Sequence, residues 1–181
     1  MGKVGILIDK AIILAGGKSS RFKKDKSRLK IDKSLTYHQY KKLKRIFKNV
    51  YISSKKDKFD FNAKIIYDKQ KEYLPIFSLI NLIQKYHTIF IIPVDVPLIK
   101  LSSIKKLIKT KTITSNSPFI GVYTYKDLKK LKQNIKNKNY SPRCGKKTTD
   151  LDEIELININ YKEDYKKYKW KIKNELIHNC N

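Results

Sequence analysis

The sequence predicts an α/β fold, a three-layer α/β/α sandwich built on a mostly parallel sheet. Three observations carry that expectation. Residues 11–15 and 88–94 are short apolar runs, rich in β-branched side chains and without polar alternation, as in strands buried on both faces. Segments with apolar residues at helical spacing separate the strand-like runs along the chain. The first run also stops at Gly16-Gly17, two of only six glycines in 181 residues, which suits a ligand loop after a buried strand.

Taken in order, residues 11–15 form the first strand and residues 27–31 a short extended link. Ser34 can cap a helix over 34–47, with Leu35, Tyr40, Leu43 and Phe47 at helical spacing. Residues 50–52 and 64–67 read as the second and third strands, the latter ending at Asp68. Pro75 can start a helix, and Ile76, Leu79, Ile80 and Ile83 give it an apolar face. Residues 88–94 form the fourth strand, ending at Asp95, and 102–109 a short helix. Residues 119–124 read as a strand, 127–134 as a helix and 137–150 as a polar, irregular and mobile loop. A late strand over 154–159 and a closing helix over 162–176 complete the reading. No composition break divides residues 11–181, which are expected to form one domain after an extension at 1–10.

Lysine and arginine number 42 against 16 acidic residues, a formal net charge of +26. The cations are spread along the whole chain and not gathered in a block, so a solvated lysine surface and a nucleic-acid face both stay open, with the former favoured. Two cysteines, Cys144 and Cys180, make neither a disulfide framework nor a metal cluster, and the cytoplasm is the expected location. The apolar residues 4–8 are too few to span a bilayer.

The chemistry concentrates where strands end. After Gly16-Gly17 come Ser19 and Ser20, then Arg21, Lys23, Lys24 and Lys26. Backbone N–H groups, hydroxyls and fixed cations after a buried strand make a phosphate cradle. Neither the G-x-x-x-x-G-K-[ST] nor the G-x-G-x-x-G pattern is present. Ligands in open α/β sheets bind outside the carboxyl ends of the strands, where Ser53, Asp68 and Asp95 fall. A carboxylate fixed there suits Mg²⁺, which takes few protein oxygens and fills its sphere with water and phosphate. The bland alternatives are a turn or capping aspartate before Pro97 for Asp95, and a turn residue for Asp68. No Ser-His-Asp or Cys-His arrangement is identifiable.

Leu14-Ala15-Gly16-Gly17-x-Ser19-x-Arg21-Phe22-x-x-Asp25-Lys26 resembles the L-A-G-G-x-S-x-R-M-G-x-D-K signature of nucleotidyltransferases, most closely the molybdenum cofactor guanylyltransferase branch; Lys23 replaces a glycine of that pattern. Pro93-Val94-Asp95-Val96-Pro97 resembles its apolar-C-D-x-P segment, Ser117-Pro118-Phe119 with Tyr123 its [HQ]-P-L-x-x-x-Y segment, and Asn158-Ile159-Asn160-Tyr161-Lys162-Glu163-Asp164 its N-I-N-T-P-E-D segment. The resemblance implies a Rossmann-like sheet of the nucleotide-diphospho-sugar transferase type. It further implies transfer of GMP from Mg·GTP to molybdopterin, with release of pyrophosphate. On that reading Leu14, Ala15, Gly16, Gly17, Ser53, Asp68 and Lys26 bind the nucleotide, and Asp68 helps recognise guanine. Ser53 stands where the family usually carries Asn. Arg21 and Lys26 hold the triphosphate, and Asp95 is both catalytic and the Mg²⁺ ligand. Asn158 and Asn160 lie near the pterin substrate and the metal. Cytidylyltransferase relatives usually read L-A-A-G at residues 14–17, so Gly16 favours guanylyl transfer. Partners implied are GTP, molybdopterin and proteins that deliver or accept the cofactor. The runners-up are cytidylyl or sugar-phosphate nucleotidyl transfer and, from another class, a basic nucleic-acid-binding domain.

Overall fold

The computed structural model describes residues 8–16, 34–68 and 74–177. Strand β1 (Lys10–Leu14) is followed by α1 (Leu35–Lys44), β2 (Asn49–Ser54), β3 (Lys64–Tyr67), α2 (Pro75–Tyr86) and β4 (Thr88–Pro93). Then come α3 (Leu101–Thr110), β5 (Ile113–Thr114), β6 (Gly121–Thr124), α4 (Leu128–Lys136), β7 (Thr148–Thr149) and α5 (Lys162–Ile177). Short 3₁₀ turns occupy Tyr125–Asp127 and Glu153–Leu156.

The seven strands form one sheet in the order β3-β2-β1-β4-β6-β5-β7. β1 pairs in parallel with β2 and β4, and β2 with β3, so four strands end at the same edge. Alternation along these strands builds two cores. Ala11, Ile13, Phe90 and Ile92 face one way, packing with Leu35 and Leu43 of α1, Ile104 and Leu107 of α3 and Ile172 of α5. Ile12, Ile89 and Ile91 face the other way, against Ile76, Leu79 and Ile83 of α2 and Leu128 and Leu131 of α4. Three layers follow directly from period-two side-chain alternation on strands apolar throughout.

Local signals place the helices. Ser34 caps α1, its Oγ accepting from Tyr37 N–H at 3.2 Å. Pro75 opens α2, where a missing N–H costs nothing. α2 runs into β4 through His87 alone, at φ 66°, whose N–H donates to Ile83 O at 2.8 Å.

The sheet is mostly parallel, as expected, and β6 alone runs antiparallel to its neighbours, with Thr88 of β4 opposite Thr124. Other details depart from the sequence reading. The strands β5 and β7 were not foreseen; each has two residues, too short for any periodic signal. Gly121 permits the β5–β6 approach: it sits at φ 139°, and a Cβ there would lie 2.5 Å from Ile113 Cα and Thr112 O. Residues 154–159 are not a strand. The 3₁₀ turn Glu153–Leu156 buries Glu155, whose carboxylate accepts from Lys100 N–H at 2.9 Å and Ser103 Oγ at 3.0 Å. That bond caps α3, which has no side-chain cap of its own, and a tertiary need overrides the local alternation. Finally, α1 ends at Lys44, with Ile46 and Phe47 N–H both donating to Leu43 O at 2.9 Å.

Candidate active site

The parallel strands end in step. Leu14 lies opposite Ser53 on one side and Pro93 on the other, and Ser54 lies opposite Tyr67. Beyond the last pairs the backbone ladder continues: Ala15 N–H donates to Ser53 O at 2.9 Å, Asp68 N–H to Ser54 O at 2.9 Å and Val94 N–H to Leu14 O at 3.1 Å. Gly16, Ser53, Asp68 and Asp95 are therefore fixed along one edge. With adjacent strands about 4.8 Å apart, the step from β3 to β4 spans about 14 Å.

Each candidate has a distinct setting. Gly16 is exposed, and a Cβ there would stand 3.8 Å from Asp68 Oδ2 and from Ser53 O. The protein itself would tolerate that atom, so the space it would fill belongs to the crevice. Asp68 is half-buried and accepts from Ser78 Oγ at 2.6 Å, in the first turn of α2. That bond joins the end of β3 to α2, where the helix dipole favours a carboxylate. Ser53 is buried; its backbone contributes through the carbonyl that Ala15 uses.

Asp95 is half-buried just past β4. Its carbonyl accepts from Ile159 N–H at 2.8 Å, which brings the C-terminal segment to the crevice. Asn158 is exposed and Asn160 half-buried on either side of the buried Ile159. The segment is anchored further on by Asp164, which accepts from Asn160 N–H at 2.9 Å and Tyr161 N–H at 2.8 Å. Gly17, Arg21 and Lys26 lie outside the described residues.

The donor set bears on a metal. Among the described residues, no group of three or more His, Cys, Asp or Glu side chains comes together. A cation at Asp95 would draw on one carboxylate, with Asn160 one residue beyond the contact to Asp95. That donor set fits Mg²⁺, which keeps waters and substrate phosphates in its sphere, and does not fit a zinc cage.

Three polar residues were not foreseen. Lys58, after β2, places its ammonium 3.4 Å from Ala15 O, over the end of β1. Ser78 lies ten positions from Asp68, and only the folded chain reveals the bond between them. Lys42 of α1 is buried and donates to Pro97 O and Ile99 O, both at 2.8 Å, in the segment after Asp95.

A sheet whose parallel strands β1 to β4 end together at one edge, the edge where open α/β sheets bind ligands, defines an α/β protein of the doubly wound kind. Comparison with known proteins sharpens that class. A family model described as the MobA-like NTP transferase domain matches residues 11–127, and the chain belongs to that family of nucleotidyltransferases. It is 34% identical over 184 residues to a molybdenum cofactor guanylyltransferase of Campylobacter jejuni, covering 90% of this chain and 96% of the relative. A solved structure from Aquifex aeolicus superposes with a TM-score of 0.66 at 27% identity, covering 84% of this chain and 93% of that one. The molybdopterin-guanine dinucleotide biosynthesis protein A of Archaeoglobus fulgidus shares the fold, with a TM-score of 0.71 at 18% identity over 91% of this chain and 99% of that one.

Proposed function

We propose that this chain transfers GMP from GTP to molybdopterin. The terminal phosphate oxygen of the pterin attacks the α-phosphorus, the bond to the β-phosphate breaks, pyrophosphate leaves and a guanine dinucleotide remains. The observation that carries this reading is the row Asp68, Ser53, Gly16, Asp95 along one sheet edge. The strand ends span about 14 Å, and Asp68 Oδ2 reaches across to 3.8 Å from where a Gly16 Cβ would stand. Both suit a nucleotide with its base against Asp68 and Gly16 and its phosphates towards Asp95. That the relatives are molybdenum cofactor guanylyltransferases supports the choice of substrates.

The chain's own groups act by positioning and charge. Asp68 accepts from the N1–H and amino group of guanine, held in orientation by Ser78. Gly16 leaves open the space next to Asp68. Arg21, Lys26 and Lys58 offset phosphate charge, and backbone N–H groups of the loop at Gly16-Gly17 cradle it. Asp95, with Asn160 beside it, would hold Mg²⁺, which would supply positive charge against the transferring nucleotidyl phosphate. Asn158 lies on the pterin side of the crevice.

The test is product formation with purified protein, molybdopterin, Mg²⁺ and each of GTP, CTP, ATP and UTP in turn, read by mass spectrometry. The expected result is a guanine dinucleotide, formed at least about tenfold faster than any other. Faster transfer from CTP, or no transfer from any nucleotide, overturns the proposal.

A further inference from the structure

The inward stripe of α1 consists of Leu35, Thr36, Gln39, Lys42 and Leu43, a helical spacing in which two members are strongly polar. Gln39 is 1% exposed and Lys42 5%. Burying an amide or an ammonium is unfavourable unless its donors are satisfied. Both side chains direct those donors at one short piece of backbone. Gln39 Nε2 donates to Val96 O at 2.9 Å, and Lys42 Nζ donates to Pro97 O and Ile99 O, both at 2.8 Å. From the other side Ile159 N–H donates to Asp95 O at 2.8 Å.

The carbonyls of residues 95, 96, 97 and 99 are thus all held, two of them by an ammonium, whose bonds to carbonyls are short and directional. A segment that merely joined β4 to α3 could leave such carbonyls to water, as connecting segments usually do. This one is drawn inward, with Val96, Pro97, Leu98 and Ile99 buried. Among the described residues the Oε1 of Gln39 has no hydrogen-bond partner, so there this amide is buried at the cost of an unsatisfied acceptor. A methionine would fill similar space without that cost. What the amide adds is one donor, and that donor goes to the residue after Asp95.

We propose that Lys42 and Gln39 are positioning residues for Asp95: they immobilise the backbone that carries its carboxylate, and so set its affinity for a divalent cation next to bound nucleotide. The proposal rests on the reading of Asp95 as the metal ligand. Outer groups that orient a metal ligand typically affect affinity by about tenfold or more. A purely architectural role for α1 would change stability and leave metal affinity alone.

The experiment measures Mn²⁺, as a paramagnetic substitute for Mg²⁺, binding to the full chain saturated with an unreactive α,β-methylene analogue of GTP. Free Mn²⁺ is read by electron paramagnetic resonance, and melting temperature is recorded alongside. Lys42→Met keeps the buried stem and removes both bonds; it is expected to weaken Mn²⁺ binding about tenfold. Lys42→Arg, which can still donate to two carbonyls, recovers most of that loss. Gln39→Met, removing one bond, weakens binding about threefold. Leu131→Ala, in the opposite core layer, lowers the melting temperature but leaves Mn²⁺ affinity within about twofold. Wild-type Mn²⁺ affinity in Lys42→Met, or a loss no larger than in Leu131→Ala, overturns the proposal. If Lys42→Met does not fold, wild-type affinity in Gln39→Met overturns it instead. Asp95→Ala in the same assay separates the two readings: unchanged affinity there removes the metal assignment itself, whereas weakened affinity there with a normal Lys42→Met removes only the positioning role.

Discussion

Asp95 and Asp127 arise from the same local pattern, a short buried strand followed within three residues by an aspartate, yet they end on opposite edges of the sheet. β4 runs parallel to β1, so Asp95 stands where β1, β2 and β3 also end. β6 runs antiparallel to β4 with Thr124 opposite Thr88, so Asp127 emerges beside the beginning of β4. There Asp127 is committed to structure. It accepts from Thr124 N–H at 2.7 Å and Thr124 Oγ1 at 3.1 Å, and pairs with Lys146 at 2.9 Å, both charged side chains being about one-tenth exposed. Strand direction, not the identity of the residue, decides which edge of the sheet each aspartate reaches.

That contrast is broken most severely at Asp95. Asp95→Ala is expected to reduce Mg²⁺-dependent transfer about a thousandfold while the circular dichroism spectrum stays native. Normal activity with normal Mg²⁺ dependence would put the metal elsewhere. The counterpart on the far edge is Lys146→Met, which leaves Asp127 half-buried without its cation and removes the ammonium 6.0 Å from the Tyr123 ring. Denaturant melts should show about 2 kcal/mol lost, below the range for fully buried pairs because Thr124 still bonds Asp127. Its transfer rate below the melting transition should match wild type; a large loss of rate would tie this edge to the chemistry.

A smaller effect sharpens the ligand edge itself. Asp68→Asn replaces an acceptor with a donor facing a donor, and should lower the GTP-over-CTP ratio of kcat/KM about tenfold. Ser78→Ala should lower the same ratio by less. Equal losses for both nucleotides would make Asp68 structural.

The last effect, on chemistry outside the transfer reaction, lies on the far edge. Burial, with Asp127 adding to it, pushes the Cys144 thiol up from 9.0 to about 11. A raised thiol pKa contributes stability that is complete below pH 9 and is lost as pH rises towards 11. In a Cys180→Ser background, alkylation at pH 8 should be about a hundredfold slower in the folded protein than in urea. Equal rates would mean that Cys144 is not shielded.

How much of this was legible in the sequence follows the same division. The strands β1 to β4 were readable because β1 and β4 are uninterrupted apolar runs followed by glycine or aspartate, and β3 ends at Asp68. The far side of the sheet, beyond β4, was not, since β5 and β7 have two residues each, too few for a periodic signal. Glu155 was misread for a related reason: its run alternates like a strand, and only the need of α3 for a cap turns it inward. Gln39 and Lys42 were invisible because polar residues on a helix normally face water, and their carbonyl partners are more than fifty positions away. Tyr40, one of the residues at helical spacing, is half-buried and packs at the margin of the core that α1 covers.

The most direct test of this account compares Asp95→Asn with Asp127→Asn in one assay, transfer of α-labelled GMP from GTP to molybdopterin with Mg²⁺, below the melting temperature of both. The account predicts that Asp95→Asn loses nearly all transfer at unchanged melting temperature, while Asp127→Asn melts lower and transfers at the wild-type rate. The reverse pattern, or equal losses in both, would contradict it.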